Sequence, residues 1–312
     1  MFCRLASSCQ DIRIVAINDV VDNNKMLAHL LKFDSVHGVY NREVTSDVSG
    51  IMIDGNHIPT MNHSKISDIN WRLFNVDCVV ESTGKYILEE QLINHIHSGA
   101  SKVILTSPPY EDTIKSVVLG VNDSILSKND IIISNASCTT HSAAPLVKKI
   151  DECFTIDSAY VTTVHSFTSD QNLHDASHHD MRRARSATSS IIPTTSGAAR
   201  SLSRIFPHLI DKIGGCGIRV PVPNGSLTDL TCLVKKETTI DYVNEIFKSS
   251  QDRYLDYTDT PIVSVDIVGS PYSSIFDAGL TSVIGKMIKV VAWYDNESGY
   301  SHRLIDMIRH LY

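Results

Sequence analysis

The chain has 312 residues, 42% of them hydrophobic and 20% charged, with a formal net charge of −7 at pH 7. That length holds one large domain or two ordinary ones around a substantial core, and the negative balance argues against a general nucleic-acid surface while leaving room for a local anion site. The seven cysteines (Cys3, Cys9, Cys78, Cys138, Cys153, Cys216 and Cys232) are odd in number and lack a C-x-x-C pair, which excludes a disulfide scaffold or zinc ribbon; with no apolar signal core after Met1 and no run of roughly 18 apolar residues, a cytoplasmic, membrane-free protein is expected.

In chain order, the first half alternates β-rich runs with helical ones. Strands are predicted over Ile12–Ile17, Cys78–Glu81, Lys102–Leu105 and Ile131–Ser134, and helices over Asn23–Lys32 and Leu88–His97. Such alternation indicates parallel βαβ units. The second half has longer alternating runs at Ala159–Phe167, Leu227–Lys235, Ile262–Val268 and Met287–Tyr294, with helices over Gly197–Ile213 and Ile240–Ser249. That pattern fits a mixed or antiparallel sheet with helices on one face. Leu304, Ile308 and Leu311 stand at helical spacing and predict a final helix.

Cys138 stands where the apolar run Ile131–Ser134 ends and a helix-like run, His141–Ile150, begins. A lone cysteine usually acts as a small buried hydrophobe. At a helix N-terminus, however, the dipole and unpaired N–H groups favour thiolate over the ordinary pKa of roughly 8.5. His165 lies in the next β-rich run. A histidine with an unperturbed pKa near about 6.5 can pair with a thiolate and act as base at neutral pH. Together they suggest a covalent thiol enzyme.

Asp19 ends the first predicted strand, the position at which a dinucleotide fold bonds the adenosine ribose hydroxyls and repels a 2′-phosphate, so NAD is expected rather than NADP. A solvated strand-end carboxylate is the plainer alternative. The G-x-G-x-x-G fingerprint should precede such a residue by about 20 positions. Counted back from Asp19 it falls before Met1, and the first glycine present is Gly38. The expectation is a chain that begins after the first strand and pyrophosphate loop, through a late-assigned start codon or a shortened product. His174, His178 and His179 include an i, i+4 pair but no Glu-x-x-His frame, so a polar loop is expected there and no metal.

The words Ser134-Asn-Ala-Ser-Cys138-Thr-Thr, Thr163-Val-His165-Ser-Phe-Thr168, Arg182-Arg-Ala-Arg185, Ser190-Ile-Ile-Pro-Thr-Thr-Ser-Gly197-Ala-Ala, Arg219-Val-Pro-Val-Pro-Asn224 and Trp293-Tyr-Asp-Asn-Glu297 occur in this order. With Ala16-Ile-Asn-Asp19, Phe33-Asp-Ser-Val-His-Gly38 and Val80-Glu-Ser-Thr-Gly84, the whole chain resembles the phosphorylating glyceraldehyde-3-phosphate dehydrogenases. The resemblance implies an α/β chain: a Rossmann-like, parallel-sheet NAD domain over 1–137 and 297–312, incomplete at its N-terminus, and an α+β catalytic domain with a mixed or antiparallel sheet over 138–296. It also implies a homotetramer. Cys138 would attack the aldehyde of glyceraldehyde 3-phosphate, His165 would take the hydroxyl proton while hydride passes to NAD, and inorganic phosphate would cleave the thioester.

By the same resemblance, Thr168 and Arg219 would hold the substrate phosphate, and Ser137, Ser196, Gly197 and Arg183 the inorganic one. Thr139 belongs to the same anion-binding group. Whether Arg182 or Arg183 points inward stays open. Asn18, Asp19, Ser82, Thr83 and Ser107 fall on NAD-contacting turns, Asn296 would bond the nicotinamide amide, and Tyr300 would pack near that ring. This chain departs from the family at Ser196 for threonine, His141 for asparagine, Ser142 for a second cysteine and Ser298 for tryptophan. His141 and Ser298 are the two expected to loosen the site. Erythrose-4-phosphate dehydrogenase, whose thioester is hydrolysed, and a non-catalytic paralogue without the pyrophosphate loop are the alternatives.

Overall fold

A computed structural model describes residues 1–312. The chain divides into two compact units, Met1–Lys115 with Leu126–Asn135 and Leu304–Tyr312, and Ser116–Ile125 with Ala136–Arg303.

In the first unit Cys78–Glu81, Lys102–Leu105 and Ile132–Ser134 run parallel, with Val80 and Ile133 both opposite Ile104. Val103, Ile104 and Leu105 are wholly buried, as expected of a parallel strand covered on both faces. Helix Glu89–His97 turns Leu92 into the cluster formed with Val103 and Leu105. Gln91 Oε1 accepts from the Ile87 and Leu88 N–H groups just ahead of that helix, fixing the chain's entry into it. Helix Asn24–Lys32 is capped by Asn23, whose side chain accepts from the Met26 N–H.

A second sheet of this unit has the order Ile17–Asn18, Asn56–Met61, Gly50–Ile53, Val44–Ser46. Its first pair is parallel and the others antiparallel. The strand predicted over Ile12–Ile17 is therefore paired only at its end. Ile17 lies opposite Thr60, and the next residue up that ladder is Pro59, which has no N–H to donate. Val15 and Ala16 pack instead on the cluster of Ile69, Trp71, Val76 and Val79.

The second unit is built on an eight-stranded mixed sheet in the order Ile192–Thr194, Ile213–Val220, Ile156–Ser166, Ser226–Val234, Met287–Tyr294, Ser274–Asp277, Leu255–Thr258, with Ser282–Ile284 also on Met287–Tyr294. Ile156–Ser166 with Ile213–Val220 and Leu255–Thr258 with Ser274–Asp277 are the parallel pairs. Helix Cys138–Phe154 lays Leu146, Val147, Ile150 and Phe154 on a core with Val161, Leu230, Ile288 and Val290. The pairing of Ile156–Ser166 with Ser226–Val234 steps from Ile156 opposite Val234 to Ser158 opposite Leu233, so Asp157 is the extra residue of a β-bulge.

Two predicted elements of this unit differ. The run Ile262–Val268 is a short 3-10 turn, Ser264–Ile267, not a strand. Asp266 Oδ2 accepts from the Val263 N–H, and Val265 stays 70% exposed. The helix predicted over Gly197–Ile213 stops at Ile205, because Pro207 supplies no N–H and pushes Phe206 out of helical geometry. Ile213 then starts a strand whose glycines hid it: a Cβ on Gly214 would meet the Tyr160 ring at 3.0 Å. The final helix is Ser298–Leu311. All seven cysteines are free thiols, and no helix is long and apolar enough to cross a membrane.

Candidate active site

Helix Cys138–Phe154 is entered through a sharp turn. Ala136 holds φ 48°, a left-handed conformation costly for a residue with a Cβ. Ser137 is extended and caps the helix, its Oγ accepting from the Thr140 N–H at 3.2 Å. Cys138 is the first helical residue, at the positive end of a 17-residue helix.

Across from it, strand Ile156–Ser166 delivers His165, and the parallel register places Arg219 directly opposite that histidine. Cys138 Sγ lies 3.6 Å from His165 Nε2. On the other side of the ring, Nδ1 is 2.7 Å from the Ser166 carbonyl and 2.6 Å from Arg219 Nη1, which also donates to that carbonyl at 2.9 Å. The carbonyl favours a proton on Nδ1, which turns the Nε2 lone pair toward the thiol, while the guanidinium pulls the other way. Burial, then the Arg219 charge, brings His165 down to about 3. Burial also raises the Cys138 thiol, against the pull of Arg219 and of hydrogen bonding to Thr139. The imidazole is thus far below the ordinary value that the sequence suggested, and the resting pair is thiol and neutral ring.

Two further side chains, Tyr294 and Thr139, stand against the pair. Tyr294, from strand Met287–Tyr294, presents its ring edge to His165 at 5.9 Å between centroids, and its hydroxyl meets Thr139 Oγ1 at 3.0 Å. Burial pushes the Tyr294 phenol up, so it stays neutral. Sequence reasoning passed over Tyr294 although it sits in the quoted Trp293–Glu297 word. Ser166 was likewise passed over, though its carbonyl holds the His165 ring.

The expected anion residues are spread over three segments. Thr168 follows the His165 strand and accepts from Gln171 N–H through its carbonyl. Arg182 is exposed, whereas Arg183 is half-buried, so the structure separates the two. Arg183 is held by Asp170, Thr194 Oγ1 at 2.9 Å and the Thr195 carbonyl at 3.3 Å. Its charge is felt at His165 and at Arg219. Ser196 Oγ accepts from Ala198 N–H at 3.2 Å, and Gly197 leads into helix Ala198–Ile205 with open space where a Cβ would stand. His178 accepts from the Asp180 N–H and stacks on His179 at 4.1 Å, next to the Asp170 carboxylate.

Asn296 Oδ1 accepts from Ser166 Oγ at 2.8 Å and Ser226 Oγ at 3.1 Å, which leaves Nδ2 as the donor for a ligand carbonyl. Tyr300 donates to the Ala136 carbonyl at 3.4 Å and takes the His141 ring edge-on at 5.9 Å. His141 is buried on the Tyr300 side, and the cation acting on the Cys138 sulfur is Arg219. Ser298 is also buried, donating to the Gly269 carbonyl at 3.2 Å.

In the first unit the expected cofactor residues stand on turns at strand C-termini, as a dinucleotide fold requires. Asn18 is clipped to the His63 backbone by two 3.0 Å bonds, and Asp19 Oδ1 accepts from Val21 N–H, leaving a half-exposed carboxylate suited to a ribose diol. Ser82, Thr83 and Gly84 form an exposed turn in which Gly84 has φ 69° and the Thr83 hydroxyl accepts from Lys85 N–H. The Ser107 carbonyl accepts from Ser134 Oγ at 2.7 Å. A carboxylate that accepts from the ribose hydroxyls, turn hydroxyls and an amide N–H that donates are the groups that ribose and nicotinamide require, so the residues present fit NAD.

Comparison with known proteins bears on the same residues. The C-terminal domain of glyceraldehyde 3-phosphate dehydrogenase matches residues 137–296, and the NAD binding domain of the same family matches residues 1–89. Glyceraldehyde-3-phosphate dehydrogenase 2 of Bacillus subtilis is 44% identical over 100% of this chain and 93% of its own length. The Geobacillus stearothermophilus enzyme is 44% identical over 99% of this chain and 93% of its own length, and that of Mycobacterium avium 45% identical over 96% and 89%. Both halves of the chain are thus covered at an identity that fixes descent, and the chain belongs to the glyceraldehyde 3-phosphate dehydrogenase family.

Proposed function

We infer that the chain is an NAD-dependent oxidoreductase that converts glyceraldehyde 3-phosphate to 1,3-bisphosphoglycerate through a thioester on Cys138. The observation that carries this is Cys138 Sγ at 3.6 Å from His165 Nε2, on the first residue of a helix. The Cys138 thiol passes its proton to Nε2 as sulfur adds to the aldehyde carbon, and Nε2 hands that proton to the former carbonyl oxygen, which leaves a hemithioacetal and a neutral imidazole. His165 in its neutral state then takes the hydroxyl proton as the carbon–hydrogen bond gives up its hydride. NAD, held by Asn18, Asp19, Ser82, Thr83, Ser107, Asn296 and Tyr300, supplies the hydride acceptor when bound. Inorganic phosphate attacks the thioester carbon, the C–S bond breaks, and the sulfur leaves as thiolate and takes the proton held on His165 Nε2, restoring thiol and neutral ring.

Thr168 and Arg219 are assigned to the substrate phosphate, and Ser137, Thr139, Arg183, Ser196 and Gly197 to the attacking one. Guanidinium forks and hydroxyls are the right donors for such oxygens. Arg182, being exposed, has the weaker claim. The division into 1–137 with 297–312 and 138–296 is adopted for this reading. A homotetramer is proposed as well, supported by Tyr160, Leu233, Ile284 and Met287, which stand exposed on the catalytic unit's strands. Free thiols throughout suit a reducing cytoplasm.

Erythrose-4-phosphate dehydrogenase is the second reading, and Arg183, whose positive charge is felt at His165, favours phosphate over water as the attacking group. Assay of both aldehydes with and without phosphate separates them. Phosphate-dependent NADH formation from glyceraldehyde 3-phosphate is expected; phosphate-independent turnover of erythrose 4-phosphate would replace this reading with the second.

A further inference from the structure

The first unit buries a polar chain that the chemistry above does not use. Trp71, from the 3-10 turn Trp71–Phe74, donates its indole N–H to His95 Nδ1 at 3.0 Å; His95, in helix Glu89–His97, meets Glu81 Oε2 through Nε2 at 3.1 Å. Glu81, the last residue of strand Cys78–Glu81, accepts the Thr83 N–H on its other oxygen at 2.7 Å. Glu81 and His95 are 4% and 3% exposed.

Proton order along this chain is fixed. An indole N–H can only donate, so Nδ1 must accept and the His95 proton sits on Nε2, aimed at Glu81. Burial raises the Glu81 carboxyl, but the His95 and Thr83 hydrogen bonds more than offset it and leave the group below its ordinary value. The charged carboxylate then has one oxygen committed to His95 and one to the turn Ser82–Gly84.

We propose that Glu81, oriented by His95 and Trp71, is a positioning residue that sets the backbone of the Ser82–Gly84 turn for NAD. The proposal rests on the cofactor reading above. It gives a buried acid, held by a donor on each side, the task of presenting a cofactor-binding turn in one conformation, and it separates proton order from packing. In Glu81→Gln the amide presents one oxygen and one NH2. If the NH2 faces His95 it meets Nε2–H, and if it faces the turn it meets Thr83 N–H; either way two donors collide. Removing the indole donor changes the count. In Trp71→Phe/Glu81→Gln the His95 proton can move to Nδ1, Nε2 can accept from the glutamine NH2, and the glutamine oxygen returns to Thr83.

The test is calorimetric titration of NAD into the full chain and the variants, with kcat and KM for NAD measured alongside. Glu81→Gln is expected to weaken NAD binding by about 5- to 100-fold, the cost of a mispaired buried donor, and to raise KM for NAD while kcat at saturating NAD changes much less. The double variant is expected to bind NAD more tightly than Glu81→Gln although its melting temperature is no higher. Asp19→Ala serves as the control on the cofactor reading. If Asp19→Ala weakens binding but Glu81→Gln does not, the positioning role is wrong and the cofactor reading stands. If the unaltered chain does not bind NAD, both fall. If Glu81→Gln does not accumulate folded, the double variant decides: binding within about tenfold of the unaltered chain supports the proton order, and a larger loss overturns it.

Discussion

Replacing Arg219 by glutamine removes the cation nearest the catalytic pair while keeping a planar hydrogen-bonding side chain. Two observed contacts set the distance from that charge to the sulfur: 2.6 Å from Arg219 Nη1 to His165 Nδ1 and 3.6 Å from Nε2 to Cys138 Sγ. With the width of the imidazole between them, the charges stand at most about 8 Å apart, where Coulomb attraction is about 2 kcal/mol at an effective dielectric constant of about 20. That corresponds to roughly 1.5 pKa units, trimmed toward about 1 by solvent at the half-buried thiol. The sign is fixed: Arg219 stabilises thiolate, so its loss raises the Cys138 value further. The pH dependence of iodoacetamide alkylation, mapped to Cys138, should shift its midpoint up by about one unit in Arg219→Gln, and Arg219→Lys should recover part of the difference. His165 should also titrate at higher pH by nitrogen NMR, though burial, its larger cause, remains. An unchanged or lowered alkylation midpoint would show that Arg219 does not face the pair in solution.

Cys138→Ser should abolish dehydrogenase turnover and leave calorimetric NAD binding largely intact; substantial residual activity would remove Cys138 as nucleophile. His165→Asn should lower kcat by about 10²–10⁴-fold, the usual range for a lost general base. The same variant bears on stability. His165 is neutral when folded down to about 3, whereas an unfolded histidine takes up its proton near 6.5, so the unfolded state binds more protons between those values. Its stabilising contribution is complete above about pH 6.5 and is lost as the pH falls toward 3, amounting to several kcal/mol. Denaturant midpoints of His165→Asn should fall less steeply over that window, and parallel pH profiles would assign acid lability to other groups.

Much of the parallel architecture was legible because buried parallel strands are continuous apolar runs: Cys78–Glu81 and Lys102–Leu105 match the sequence prediction, and Met287–Tyr294, antiparallel to all its neighbours, matches it as well. What stayed hidden was set by partners. Ile12–Ile17 reads as a strand by composition but pairs only at Ile17 because Pro59 ends the ladder. Ile213–Val220 carries three glycines, whose purpose appears only once Tyr160 and Val161 are packed against them. The hairpin between Gly50–Ile53 and Asn56–Met61 had its own local signal, Asp54-Gly55 with φ 49° and 75°, the two-residue turn of tight hairpins. In the candidate site, motif words located Cys138 and His165. Burial and the facing Arg219, which invert the expected charge state of the pair, arise from strand register and are invisible in one dimension.

The bulge at Asp157 gives the His165 strand two phases. Upstream of it Ile156 is buried, and downstream Ala159, Val161, Thr163 and His165 are buried in alternation, although 156 and 159 are an odd number of positions apart. A regular strand would have to send either Ile156 or His165 to the opposite face. The irregularity therefore decouples the end of the strand that anchors the core from the end that carries the base. It also makes the segment unequally tolerant of insertions and deletions. A one-residue length change at 157 can be absorbed where pairing is already broken, but the same change between 159 and 164 would carry the imidazole through the sheet, away from the thiol, without removing a single catalytic atom.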